Sequence, residues 1–233
     1  MTGEAREEDP TTARPLEGNL AIQVVVDSRR QEYEWVPAGV LAALNHLGIP
    51  YRVVDLSAGR LTAAAAATAP LILLAQEGLG DSVSAEEATL ITDAVRAGAG
   101  LVSLDPLLDR YGLPLREQLP KMGGGPTLAT GIRIATTHHY VTAMRTLSER
   151  VPTRKPTPVW SVQGGGAVLL ATDDGSPLAV ADRTGEGRVV CLGCSARVWL
   201  QEYLGHANGL DDVFWKCVVW AARKPFVMRA MPY

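Results

Sequence analysis

Acidic side chains recur where apolar runs stop. Asp27 follows Ile22-Gln23-Val24-Val25-Val26, and Asp55 closes the run that begins at Ile49. Glu77 follows Leu71-Ile72-Leu73-Leu74-Ala75-Gln76, and Asp105 follows Leu101-Val102-Ser103-Leu104. A later run, Arg188 to Leu192, leads into Cys194-Ser195-Ala196-Arg197. Carboxylates gathered with an arginine at one sheet edge suit a cation or a polyol, and ligands of open α/β sheets sit beyond the carboxyl ends of the strands. Asp after a strand is equally a favoured turn or helix-cap residue, so each acid also has a purely structural reading. His206 lies in Leu204-Gly205-His206-Ala207-Asn208-Gly209, just before Asp211-Asp212. If that loop folds over the edge, His206 approaches Asp105 and Arg197 and can exchange a proton near neutral pH, with Asp105 orienting it. The candidate ligand-binding set is Asp27, Glu77, Asp105, Arg197 and His206; Asp105 and His206 form the candidate catalytic pair, with Glu77 or Arg197 assisting.

Other constellations point less far. Cys191-Leu-Gly-Cys194 has the C-x-x-C spacing of a redox pair or half a zinc site. It lies in and just after an apolar strand, however, where the two side chains should diverge, and no second Cys/His pair has metal spacing. No metal site is expected. His138 and His139 are neighbours and point apart in either a strand or a helix, so they do not readily share a metal; His139 either meets a ligand or caps a loop. Trp35, Trp199 and Tyr203 offer a stacking surface for sugar rings, or simply core packing. Gly123 to Gly125 and Gly164 to Gly166 lack phosphate-loop spacing, so nothing supports a nucleotide cofactor.

Strands and helices alternate to position these residues. After the strand at 22–26, Pro37 opens a helix with Val40, Leu41, Leu44 and Leu47 on one face, and Gly48 stops it. Residues 61–69 are alanine-rich and helical in character. Ser84-Ala85-Glu86-Glu87 is a capping box ahead of a helix carrying Ala88, Ile91 and Val95 on one face, with Gly98 or Gly100 ending it. Continuous apolar strands joined by helices give a parallel sheet covered on both faces. From about residue 120 the pattern changes to short β-like pieces: 132–135, 159–162, 167–171, 178–181 and 188–192. Turns at Asp174-Gly175 and Gly185-Glu186-Gly187 separate some of them, which predicts antiparallel strands added to the parallel sheet. A final helix from about Asp212 to Ala222 is apolar on nearly every side and must be buried, with Asp211 or Asp212 as its N-cap.

The chain has 233 residues, 47% of them hydrophobic and 20% charged, which suits one globular domain. Its formal net charge is -3. Residues 1–18 hold five acids and two bases, so they carry that whole charge and leave a neutral body. A neutral body argues against a general nucleic-acid field. Residues 1–18 read as a loose leader, 19–224 as the α/β domain, and 225–233 as a tail or junction. With no apolar run long enough to span a bilayer, no signal-like start and only three Cys, the expectation is a cytoplasmic protein with no membrane partner.

Several segments together resemble the class I glutamine amidotransferase-like fold: Leu71 to Gly78, Ser84 to Glu87, Ala97-Gly98-Ala99-Gly100-Leu101-Val102 and Gly185-Glu186-Gly187-Arg188-Val189-Val190. The resemblance covers about residues 20–222 and implies a flavodoxin-like parallel sheet flanked by helices. An active member of that family places a Cys in a tight elbow after the central strand and a His with an acid after a later one. Here Leu101 to Leu104 leads to Asp105, no Cys precedes residue 191, and the late strand ends without His. The resemblance therefore implies a degenerate member without glutaminase activity. Trp220 to Arg229 resembles the junction by which such domains precede polysaccharide-deacetylase-like or other carbohydrate-active domains. The resemblance thus implies a non-catalytic accessory domain that binds a small molecule or carbohydrate, or that supports a neighbouring catalytic domain. A homodimer is the other partner considered, and a hydrolase using Asp105 and His206 is the rival function.

Overall fold

The computed structural model describes residues 20–105, 116–118, 126–199 and 210–223. Its strands, in chain order, are β1 (Ile22–Val26), β2 (Tyr51–Asp55), β3 (Leu71–Leu74), β4 (Gly100–Ser103), β5 (Arg116–Gln118), β6 (Thr127–Ile134), β7 (Arg150–Val159), β8 (Ser161–Gln163), β9 (Ala167–Thr172), β10 (Pro177–Thr184) and β11 (Gly187–Leu192). The helices are α1 (Ala42–His46), α2 (Ala63–Thr68), α3 (Ala85–Arg96) and α4 (Asp211–Ala222). One nine-stranded sheet runs in the order β2-β1-β3-β4-β11-β10-β9-β6-β7, and β5 with β8 forms a separate ribbon. From β2 to β11 the neighbours are parallel. From β11 to β7 they are antiparallel.

Period-two alternation within the apolar strands sorts the core into two layers. Val24, Val26, Leu71, Leu73, Val102, Val190 and Leu192 face one side with α1 and α4. Val25, Ile72, Leu74, Leu101, Val189 and Cys191 face the other with α2 and α3. Every residue of β1, β3 and β4 is buried, which is why these strands, Gln23 and Ser103 apart, carry no polar side chains. The first helix begins at Pro37 as a single wide turn over Pro37–Leu41 before continuing as α1, and Gly48 ends it at φ 66°. Ahead of it, a short 3-10 turn at Gln31–Trp35 occupies what reads in the sequence as a polar turn alone. The capping box forms as expected, with Ser84 Oγ accepting from the Glu87 amide and Glu87 accepting from the Ser84 amide.

Two expectations need correction. Residues 159–162 are not one strand: β7 ends at Val159, and the Trp160 amide turns aside to donate to the Gly193 carbonyl, 2.7 Å, before β8 pairs with β5. Asp212 does not cap α4. Nor does Asp211: the helix begins at Asp211, so its N-cap is Leu210, without a side-chain cap, and the Asp212 carboxylate is taken up by Arg145 and Lys216. The leader at 1–18 and the tail at 225–233 lie outside the described residues.

Candidate functional site

Parallel strands put their carboxyl ends on one edge, so the residues after β1, β2, β3, β4 and β11 share that edge. Asp27 is buried there with its carboxylate on the Arg29 side chain, Nε to Oδ1 3.0 Å and Nη2 to Oδ2 2.9 Å. Those bonds, with others from Ser82 and the Arg29 amide, outweigh burial and hold Asp27 well below the usual carboxylate range. The Gln76 side chain clasps the Asp27 backbone. At Asp55, partial burial raises the carboxyl, but hydrogen bonds from Ser28 and Ser57 outweigh it and pull the group down to about 2. Both acids thus pin the loops that follow their strands. Asp105 is completely buried; its Oδ2 accepts from the Gly80 amide at 2.6 Å, and Ser103 Oγ bridges its backbone N–H and C=O.

Glu77 differs from these three. Burial is the largest influence on it and pushes its carboxyl above the usual range, reinforced by the charge of Glu32. Hydrogen bonds from Ser195 and the Ala196 amide oppose that rise, but Oε2 is sealed from solvent without a hydrogen-bond partner. Two residues beyond Ser195, the Arg197 guanidinium lies over the Trp35 ring, 4.4 Å from its centroid. Arg197 Nε and Trp35 Nε1 are also buried without hydrogen-bond partners. Arg30 completes the surroundings. Its guanidinium lies against Gly78, whose φ of 80° and missing Cβ make the room, and it faces Glu32 at 3.4 Å and Asp81 at 3.7 Å.

Of the sequence-derived set, Glu77 is tied to Ser195 and Ala196, the residues just before Arg197, whereas Asp27 and Asp105 are satisfied by neighbouring loops. His206 lies outside the described residues, as do Tyr203, Gly123 to Gly125 and the Trp199 side chain. Trp35 belongs to the site, but one of its faces is covered by Arg197. Arg30, Glu32 and Ser195 are additions, because nothing in their local sequence marks them as neighbours of Glu77.

The remaining candidates lie elsewhere or are inert. Cys191 and Cys194 fall in opposite core layers, so the C-x-x-C pair diverges as its strand geometry requires. Burial, with the nearby Glu77 carboxylate, pushes the Cys194 thiol up to about 12, which keeps it protonated at neutral pH. His139 sits at the opposite edge of the sheet, against Trp220 with ring centroids 4.7 Å apart, and its Nδ1 accepts from the Val141 amide at 3.2 Å. Burial and then Arg188 push it down to about 4, so it is a neutral loop cap. His138 is exposed. Among the described residues no group of three or more His, Cys, Asp or Glu is placed to hold a metal ion, and no helix is long and apolar enough to cross a membrane.

No family model matches the chain, and no curated protein matches it. Solved structures resemble it in fold. A ThuA-like protein from Parabacteroides merdae is 13% identical at a TM-score of 0.62, over 87% of this chain and 90% of that one. A β-galactosidase from Rahnella sp. R3 is 14% identical at a TM-score of 0.60, over 89% of this chain but only 32% of that one. PurLQS from Thermotoga maritima is 16% identical at a TM-score of 0.55, over 86% of this chain and 99% of that one. At these identities the likeness is one of fold alone, of the general α/β class.

Proposed function

We propose that this chain is a degenerate class I glutamine amidotransferase-like domain of flavodoxin-like type, without catalysis of its own. In this reading it binds a small molecule or carbohydrate at the carboxyl edge of its parallel strands, beside Glu77 and Arg197, and so serves a neighbouring glycan-processing domain. One observation carries the reading: Glu77 Oε2, Arg197 Nε and Trp35 Nε1 are buried polar atoms without hydrogen-bond partners, in residues gathered at the edge where ligands of such sheets sit. An unpaired buried polar group costs about 1–3 kcal/mol, a burden that a folded protein carries where the group has a use. The absence of catalysis is supported by Cys194, which stands at this edge as a protonated thiol beside a carboxylate that opposes its ionisation. Asp105 is engaged by Gly80 and Ser103, which favours a structural role for it over proton transfer. The accessory role is supported by the β-galactosidase, in which the similar region is a minor part of a longer chain.

The test is thermal shift of the full chain against sugars, glutamine, nucleotides and divalent metals, since a ligand that binds only the folded state raises Tm by mass action. A saturating rise with one class, lost in Arg197→Ala but kept in Asp27→Asn, supports the edge site. A rise that survives Arg197→Ala, or no rise with any class, counts against it.

A further inference from the structure

The segment that joins β6 to β7 carries a side chain that stands almost wholly in water. Met144 is 96% exposed, and Tyr140 and Leu147 of the same segment are exposed as well. That exposure is built in, because the chain is held to the body on both sides of Met144. The His139 carbonyl accepts from the Thr142 and Ala143 amides, at 3.0 and 2.8 Å. The Ala143 carbonyl accepts from Lys216 Nζ of α4 at 3.0 Å. On the other side, the Arg145 guanidinium turns inward to Glu149, at 2.9 Å, and to Asp212 of α4. Between these anchors the Met144 backbone stands at φ 74°, in the left-handed region that a residue with a Cβ enters only at a cost. The anchors hold the turn and leave the thioether outside.

Position decides which sulfur of a protein reacts with an oxidant. A thioether needs no ionisation, so access of the oxidant governs its reaction. A thiol must be reached and must also ionise. Cys191, Cys194 and Cys217 are at most 3% exposed and lie within the two core layers. Burial pushes the Cys194 thiol up to about 12 and raises the Cys217 thiol as well, so both stay protonated at neutral pH. Among the described residues Met144 is the one methionine. The sulfur that an oxidant can reach is thus a thioether, and the thiols are sheltered.

We propose that Met144 is a site at which this chain takes up oxygen from peroxides, and that the sulfoxide changes the surface of the loop without disturbing the fold. The sulfur lone pair attacks one oxygen of hydrogen peroxide, the S–O bond forms as the O–O bond breaks, and the departing hydroxide takes the remaining proton and leaves as water. Sulfur loses two electrons and the peroxide gains them. The product puts a polar group in place of an apolar one on the segment that also exposes Tyr140 and Leu147. A side chain with so little packing around it has little folding energy to lose.

The experiment treats the full chain with hydrogen peroxide at neutral pH and follows each sulfur by mass spectrometry of tryptic peptides. Cleavage after Arg133 and Arg145 leaves Met144 as the one sulfur of its peptide, with the three cysteines in others. The expected result is one added oxygen on that peptide, gained as fast in the folded chain as in urea. All three thiols should remain open to alkylation once the treated chain is unfolded. Met144→Leu serves as the control for the other methionines, and peroxide should change its Tm and that of the parent equally. Slower oxygen uptake at Met144 in the folded chain than in urea, or loss of the thiols before Met144 reacts, overturns the site. A larger fall in Tm for the parent than for Met144→Leu overturns the claim that the fold is undisturbed.

Discussion

At the scale of single residues, Glu77 carries the clearest thermodynamic signature. Its carboxyl is pushed up chiefly by burial, so the folded chain holds a proton that the unfolded chain has already released. A group of this kind adds to stability below its unfolded pKa, about 4.3 for Glu, and that contribution is lost as pH rises through the folded value. Glu77→Gln removes the titration and keeps the shape. The two proteins should therefore unfold at similar temperatures near pH 4.5, with the variant becoming progressively the more stable towards pH 8. Melting curves across that range decide the matter, and a variant less stable than the parent at pH 8 would show that the ionised carboxylate is well paired. Glu77 is legible as an acid at a strand end, because strand ends can be read from apolar runs. The contact nearby is not: Trp35 and Arg197 belong to segments far apart in the chain, and no local spacing announces a guanidinium lying on a ring.

Among the elements, legibility follows the range of the forces involved. The capping box of α3 is fixed by residues three apart, and it forms as its sequence predicts. Its glutamate goes further than the motif requires. Glu87 is 3% exposed and also accepts from the Leu61 amide at 3.1 Å and from Arg60, so it ties the start of α3 to the segment leading into α2. Removing each half of the box should therefore have unequal effects. Ser84→Ala loses an ordinary cap and should cost about 1 kcal/mol. Glu87→Ala strands the buried Leu61 amide and the half-buried Ser84 amide as well and should cost about 2–3 kcal/mol. Urea unfolding of both variants measures the difference, and equal losses would mean that the link to Leu61 contributes nothing. β7 shows the opposite case. Pro152, Pro156 and Pro158 hide it from any propensity reading, yet it is the outermost strand beyond β6, where a residue without an N–H can be tolerated on the open side. Which strand becomes an edge is decided by the whole sheet, so the prolines make sense only once the strand order is known.

For the molecule as a whole, the decisive question is how α4 closes against the first half of the chain. α4 packs its Val213, Phe214, Cys217, Val218 and Ala221 into the same core layer as β1, β3 and β4. That approach is close enough that a Cβ on Gly100, at the start of β4, would run into the Ala221 carbonyl. The obstruction is backbone rather than a flexible side-chain end, so α4 would have to move as a body. Gly187 plays the matching part on the other face, where a Cβ would strike the Val95 carbonyl at the end of α3. The Gly98-Ala99-Gly100 and Gly185-Glu186-Gly187 segments therefore recur beside strands for a mechanical reason: they let one helix on each face lie directly against the sheet. Gly100→Ala should cost about 1–3 kcal/mol, as overpacking in a closed core does, and lower Tm by several degrees. Gly165→Ala is the proper comparison, because nothing lies within 4 Å of the added methyl and its backbone is not in the left-handed region. That change should stay within about 0.5 kcal/mol of the parent. If the two substitutions proved equally mild, α4 would be resting loosely on the sheet, and the closure of the core by α4 would have to be abandoned as the feature that makes this fold one cooperative unit.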